Sequence, residues 1–266
     1  YAEWIGFGDH SQRWASGWRN AADLVDLIGR ETGSRQYAAY VEALRSETDF
    51  QREPGARSMP GFNSQLFLCP QPPTDTAPAP KNDSVLRAVT DAGWAAFRTH
   101  LDDAERDLAF IFRSSPYGSI SHAHANNTDF VIHVGGRVMA MPSGYYGGAR
   151  LGYGGDHHAH WVWHTKSHNC VTLSDAPQIM RSPASTGKLQ GAYEDKHLAY
   201  VCGNADASYI DRAQNCRRHV FFLKRHSCWV LIDQFVAQPG IVSALQWNIH
   251  SWEQFTVDEG QRSFSL

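Results

Sequence analysis

The chain has 266 residues, of which 42% are hydrophobic and 19% are charged, and its formal net charge is −3. That length is enough for one large domain or two small ones with a sizeable core. The weakly acidic balance argues against nucleic acid as a partner, because phosphate binding usually needs a clear basic surplus. No apolar run approaches the length of a membrane span, so no membrane partner is predicted. The five cysteines lack CxxC spacing and are odd in number, which argues against a disulfide framework or a zinc knuckle.

Both ends of the sequence lie inside predicted structural elements and not at element boundaries. The sequence opens at Tyr1 rather than at a methionine, and it stops inside the strand-like run "RSFSL". We therefore expect a segment of a longer protein. The lack of a signal peptide in such a segment says nothing about where the protein is located.

The N-terminal part is predicted to be helical. Apolar residues recur at helical spacing over 12–30, and Gly29 and Gly33 bracket the end of that helix. Ser34 is a plausible N-cap for a second helix that follows directly. Residues 1–52 are thus expected to form a helix pair, and the proline-rich residues 53–83 a connector, because seven of the twelve prolines lie there.

From residue 84 to 266 the apolar period changes to two, which is typical of β-strands. At least seven strand candidates follow one another without a long helix between them, and Gly135–Gly136 reads as a hairpin turn. This pattern predicts a large antiparallel β-sandwich. The predicted fold class is therefore mainly β with a small α part.

Histidines are concentrated in the middle of this β region, where eight of the fourteen lie between His122 and His168. In an extended chain His122 and His124 point the same way, so the pair could hold a divalent ion, although such pairs are more often packed or surface groups. The run "KSHNC" adds His168 and Asn169. Between them lies a glycine-rich loop with tyrosines and three further histidines, which suits a polar, planar ligand such as a sugar but also any long loop.

The stretch from about Phe112 to Gln178, "FRSSPYGSISHAHANNTDFVIHVGGRVMAMPSGYY…HTKSHNCVTLSDAPQ", resembles the heparinase II/III-like polysaccharide lyases, a group that includes oligoalginate lyases. The family pattern reads approximately S-x-H-x-H-A-D, then an apolar strand, then D-S-G-x-Y, then a loop that ends in H-N. The resemblance implies that residues 1–52 are the last helices of an α/α toroid that precedes the β-sandwich. It also implies a bacterial, periplasmic or secreted protein.

The implied reaction is β-elimination on a uronic-acid polysaccharide or oligosaccharide of the alginate or heparin/heparan type. The proton at C5 becomes removable only when the neighbouring carboxylate is neutralised, and a Tyr or His must then accept it. Imidazoles and phenols suit this task better than glycoside hydrolysis, which calls for two carboxylates. The sequence carries no signal for the oligomeric state.

Carried over to this chain, the resemblance implies His122 as the active-site histidine, and Tyr153 or Tyr146 as the loop tyrosine of the cleft. It implies His124 and His168 as two of three ligands to a structural zinc ion. Four residues in or near this motif are expected to contact substrate: Arg113, Asn169, His160 and Trp161. His133, within a strand, is expected to be a packed histidine.

Two positions depart from the family pattern. Pro142 replaces the aspartate expected as the third zinc ligand, and Asn126 replaces the aspartate of H-A-D. Asp156 or His164 could complete a tetrahedral site. The departures leave open a second possibility, a catalytically inactive carbohydrate-binding or structural module. A metal-dependent hydrolase, suggested by the number of histidines alone, ranks last because H-E-x-x-H or a similar acid motif is missing from the sequence.

Overall fold

The computed structural model describes residues 84–101, 103, 105–143 and 154–266, together with 25, 28–30, 32–35 and 37–38 near the N-terminus. The described residues from Ser84 onward belong to one compact unit, and those between 25 and 38 belong to another. Most of the predicted helix pair, the connector, and Tyr146 and Tyr153 lie outside the described residues. The predicted domain boundaries therefore stay predictions. No described helix is both long and apolar enough to cross a membrane.

The described residues near the N-terminus are helical on both sides of Gly33. Gly33 has φ +63°, the left-handed conformation in which a helix commonly ends, and the amide of Ser34 donates to the carbonyl of Gly29. The amide of Tyr37 then donates to the hydroxyl of Ser34 at 3.5 Å. The predicted helix end and the predicted N-cap are both confirmed.

The first sheet of the β unit has five strands in chain order, each antiparallel to the next: β1 (Leu86–Val89), β2 (Trp94–Arg98), β3 (Leu108–Arg113), β4 (Asp129–Val134) and β5 (Arg137–Ala140). Gly135 and Gly136 make the tight turn between β4 and β5, as predicted, and both have positive φ. β3 and β4 pair without a register shift, so that Arg113 lies directly opposite Asp129. The two charged residues therefore share one end of this sheet.

The second large sheet has four antiparallel strands in the spatial order β10-β9-β8-β7. Its strands are β7 (Lys188–Glu194), β8 (Leu198–Asn204), β9 (Ala213–Leu223) and β10 (Cys228–Ala237). β6 (Val171–Leu173) pairs with β11 (Leu245–Trp247), and β12 (Thr256–Asp258) pairs with β13 (Ser263–Ser265). Every strand ladder among the described residues is antiparallel, which confirms the predicted mainly β, antiparallel fold.

One apolar core joins the two large sheets, because alternate residues of each strand face the other sheet. It comprises Leu86, Ala95, Phe97, Phe110, Phe112, Phe130 and Ala140 from the first sheet, with Leu189, Ala199, Val201, Val220 and Phe222 from the second. Phe110 stacks on Phe130 with ring centroids 5.1 Å apart. The β unit is thus a sandwich, and Arg113 and Asp129 lie on the opposite face of the first sheet from this core.

Candidate active site

The two histidines of the H-x-H motif enter different environments. Ser121 has φ +55°, and the amide of Ala123 donates to the carbonyl of Ile120, so the segment turns instead of running straight. His122 is exposed, whereas His124 is only 2% exposed. The expectation that an extended strand points both side chains the same way is wrong, because the turn rotates the backbone between them. His122 remains accessible to a ligand.

His124 and His168 meet in the interior. Nδ1 of His124 lies 3.2 Å from Nε2 of His168, and the two rings are 5.1 Å apart. Nδ1 of His168 lies 3.0 Å from a carboxylate oxygen of Asp129. Because that carboxylate accepts a hydrogen bond from Nδ1–H, it fixes the ring and directs Nε2 toward His124. The resemblance paired these two histidines, and the structure brings them together.

Asp129 organises the surrounding backbone. One of its oxygens accepts the amides of Phe130 and Asn169 at 2.8 and 3.0 Å, and the other accepts the side-chain amide of Asn126 at 3.1 Å besides His168. The carboxylate is fully buried, so these donors compensate for its lost hydration. It joins the start of β4 to the segment that carries His168.

Arg113 is 5% exposed, and its guanidinium donates to the side-chain oxygen of Asn126 at 2.6 Å. Burial lowers the pKa of Arg113, although the nearby Asp129 carboxylate acts in the opposite direction. We predicted that Arg113 binds substrate, but the structure places it in the interior, where it orients Asn126. Asn126, which replaces the aspartate of the family pattern, is therefore a neutral bridge between Arg113 and Asp129.

Asn169 is fully buried, and both ends of its amide are occupied. Its side-chain nitrogen donates to the carbonyl of Phe130 at 2.8 Å, and its oxygen accepts the amide of His250 at 2.8 Å. The predicted substrate contact is replaced by a structural role, since a side chain already satisfied in the interior offers a sugar no polar atom.

The C-terminal end of the glycine-rich loop forms a helical turn over His158–Val162, which the sequence did not predict. His158 is fully buried, accepts the amide of Gly154 at 2.7 Å, and lies 4.3 Å from the ring of Trp163. The other two residues predicted to bind substrate, His160 and Trp161, differ in their exposure to solvent. His160 is exposed, whereas Trp161 is half-buried and donates its indole N–H to Ser143 at 2.9 Å.

The contact between the two buried rings fits part of a zinc site. Two Zn–N bonds of about 2.0–2.1 Å that meet at a tetrahedral angle hold their nitrogens about 3.3–3.4 Å apart. Nε2 of His168 also faces the carbonyl oxygen of Val162 at 3.2 Å, so a cation or a proton there would satisfy both neighbours. Asp129 is the orienting carboxylate that metal-binding histidines usually have. Within the described residues, no group of three or more acidic, histidine or cysteine side chains completes such a site.

Sequence reasoning missed two contributors, Asp129 and Arg218. Arg218 is fully buried in β9, pairs with Asp233 of β10 through two hydrogen bonds, and donates to the carbonyls of Thr128 and Asn169. A signal was present, since Arg218 interrupts the apolar face Cys216, Val220, Phe222 and stands directly opposite Asp233 in the ladder. An arginine on the inward face of a strand predicts a buried acidic partner.

Comparison with known proteins gives a consistent result. Residues 82–266 match the family described as heparinase II/III-like, C-terminal. A search of curated protein sequences finds no match. A structure of heparinase III with methylated lysines superposes with a TM-score of 0.62 at 15% identity over 98% of this chain and 33% of that one.

The heparan sulfate lyase HepC from Pedobacter heparinus superposes with a TM-score of 0.56 at 17% identity, over 88% of this chain and 30% of that one. The likeness shows a shared fold, and the chain spans about a third of the length of these solved relatives. Because the family match covers most of the sequence and coincides with the observed sandwich, the chain belongs to the heparinase II/III-like polysaccharide lyase family, whose C-terminal domain accounts for residues 82–266.

Proposed function

We propose that this chain forms the β-sandwich side of a lyase that cleaves uronate-containing polysaccharides or oligosaccharides by β-elimination. The observation that carries the proposal is the split of the H-x-H motif. An exposed His122 stands on a turn whose base is fixed by the buried assembly of His124, His168 and Asp129. Acid-base catalysis needs a reactive group that is accessible to substrate and held by a rigid support.

The chemistry assigns His122 a proton-transfer role. Elimination removes the C5 proton and expels the glycosidic oxygen at C4, so one group must accept a proton while another donates one to the leaving oxygen. An imidazole can serve in either direction near neutral pH. Tyr146 or Tyr153 is the proposed phenol partner, and the exposed His160 a proposed sugar contact. Heparin or heparan is favoured over alginate as the substrate, since the solved relatives are named as heparinase III and heparan sulfate lyase.

The test is the ultraviolet absorbance of the unsaturated uronate product, with heparan and alginate oligosaccharides supplied to the full-length protein. We expect His122→Ala to lower kcat by about 100-fold or more, the usual contribution of a general acid or base. His226→Ala changes an exposed histidine in the turn between β9 and β10 and serves as the control. Release of reducing ends without the absorbance would instead indicate a hydrolase.

The second candidate is a catalytically inactive carbohydrate-binding module. It is favoured by Pro142 and Asn126, which stand where the family pattern has aspartates. A binding module would retain uronate oligosaccharides without altering them. Neither the unmodified protein nor His122→Ala would then form unsaturated product.

We further propose that His124 and His168 bind a structural zinc ion, which would pin the turn to the sheet without taking part in proton transfer. Mass spectrometry of the purified protein should find about one zinc per chain, and His124→Ala should remove it. His226→Ala should retain the metal. The proposal would be contradicted if the unmodified protein, purified without chelator, contained no zinc. A periplasmic or secreted location stays a prediction from the family resemblance.

A further inference from the structure

Arg181 lies over the indole of Trp163. The guanidinium carbon is 4.7 Å from the ring centroid, and Trp163 itself is buried. Arg181 is exposed, so one face of its guanidinium is supported by the ring while its N–H groups stay accessible to solvent. Stacking of this kind restricts a long side chain to few rotamers and thus lowers the entropy that a ligand must overcome.

Hydrogen bonds join the segment of Arg181 to the turn that carries His122. The hydroxyl of Ser119 donates to the carbonyl of Ile179 at 2.8 Å, and its amide donates to the carbonyl of Ser182 at 2.9 Å. On the other side of the turn, the amide of Ala125 donates to the carbonyl of Trp163 at 3.2 Å. The cation and its supporting ring are therefore fastened to both ends of the His122 turn.

The backbone of Arg181 is strained. Its φ is +52°, a left-handed value that non-glycine residues rarely adopt. Ser121, next to His122, has φ +55°. Such conformations persist where the surroundings enforce them, and they are concentrated in binding sites.

Arg181 also lacks an internal counter-ion in the part of the chain that the structure describes. Arg98, Arg212, Arg217 and Arg218, by contrast, each form an ion pair with an aspartate. No described carboxylate lies within ion-pair distance of Arg181. A planar, oriented cation of this kind matches the two oxygens of a carboxylate or sulfate group.

We propose that Arg181 is a substrate-binding residue that recognises an acidic group, a uronate carboxylate or a sulfate ester, on a sugar unit next to the one at His122. The inference rests on the proposed lyase function and deepens it, because it assigns this chain its own residue for the charge of the polymer. Such a residue would let a chain with a net negative charge retain an anionic substrate.

The test measures binding of size-matched uronate oligosaccharides, with and without sulfate, to the His122→Ala form, whose slow turnover leaves the ligand intact during the measurement. Arg181→Gly removes the cation and relieves the positive φ, so it should keep or raise the unfolding midpoint. We expect it to weaken binding about tenfold, in keeping with the loss of one charge-assisted contact at an exposed position. A larger loss for sulfated ligands identifies the sulfate as the partner, and an equal loss identifies the carboxylate.

Arg262→Gly is the matched control. Arg262 is also exposed and has φ +51°, but it lies in the turn between β12 and β13. It should match Arg181→Gly in its effect on stability and leave binding unchanged. Arg181→Lys keeps the charge without the planar fork and should fall between the two.

The outcomes separate the two proposals. Equal binding by the Arg181→Gly and Arg262→Gly forms overturns the role of Arg181, even where the unmodified enzyme is an active lyase. Binding that depends on Arg181 in a protein that never yields unsaturated product upholds the site and overturns the lyase. An unmodified protein that binds no acidic oligosaccharide overturns both.

Discussion

Arg218 is fully buried, yet it determines the geometry of a site to which it contributes no ligand atom. Its two hydrogen bonds to Asp233 satisfy its charge, and its remaining donors hold the carbonyls of Thr128 and Asn169 at 2.8 and 2.5 Å. Those carbonyls precede Asp129 and follow His168 in the chain. One guanidinium thus fixes the spacing of two segments about forty residues apart in sequence.

Replacing this residue tests that role. We expect Arg218→Met to lower the free energy of unfolding by about 3–5 kcal/mol, because Asp233 would be left as an uncompensated, largely buried charge. Arg217→Met, the neighbour on the opposite face of the same strand, should cost less than about 1 kcal/mol. Urea denaturation of both variants gives the comparison. Similar losses would show that Arg218 is no more important than a surface arginine.

At the scale of elements, the sequence predicted strands where apolar alternation is regular. Apolar alternation over residues 217–237 predicts strand, and the structure divides this stretch into β9 and β10 around the turn Lys224–His226. β7 was missed because Gly191 interrupts its pattern at a register shift, and β1 because it has only four residues. The helical turn over His158–Val162 was missed since its glycine-rich approach is typical of an irregular loop.

The candidate site was predictable only in part for the same physical reason. The family resemblance paired His124 with His168, but local pattern could not show that a turn would separate His122 from His124. Nor could it show that Arg113 and Asn169 lie inside, because burial depends on which strand ends meet in space.

Glu194 of β7 connects the second sheet to the edge strand β1 of the first sheet. It accepts the amides of Val85 and Leu86 and the ammonium of Lys224. Burial alone would raise the pKa of Glu194, but the hydrogen bonds from Lys224, Ser84 and the two amides lower it to about 2. The folded state therefore favours the ionised carboxylate.

This shift predicts an acid-dependent contribution to stability. Because the pKa is lower in the folded than in the unfolded chain, the stabilisation is complete above the ordinary value of 4.5 and is lost as the pH falls toward 2. Glu194→Gln should cost about 1–3 kcal/mol at pH 7, and the difference from the unmodified protein should shrink through that window. Glu253→Gln, at an exposed position, should stay within about 0.5 kcal/mol. A loss of stability in Glu194→Gln that does not change with pH would contradict this role of the ionised carboxylate.

For the molecule as a whole, stability depends on how closely the two large sheets approach. Gly203 of β8 marks a point of close approach, since a Cβ there would lie 2.6 Å from the ring of Phe112 and 3.0 Å from Cβ of Ser114. A methyl group at that point has no space unless the sheets separate.

Gly203→Ala should therefore destabilise the sandwich by about 1–3 kcal/mol, the usual cost of overpacking a core. Gly191→Ala is the matched control in the neighbouring strand, where a Cβ would meet only the ring of Tyr200 at 4.0 Å. Calorimetric midpoints should fall for the first variant and stay near the original for the second. A similar midpoint for both would mean that the layers can move apart freely.

The dependence of the site on Arg218 also has a consequence for how the protein is made. Every histidine of the assembly emerges from the ribosome before β9 and β10 do, and Arg218 comes fifty residues after His168. A nascent chain that stops short of residue 213 holds all of these imidazoles but not the guanidinium that spaces them. We expect the histidine assembly to reach its folded geometry in one step, when the hairpin of β9 and β10 docks, and not to build up gradually as each histidine is added.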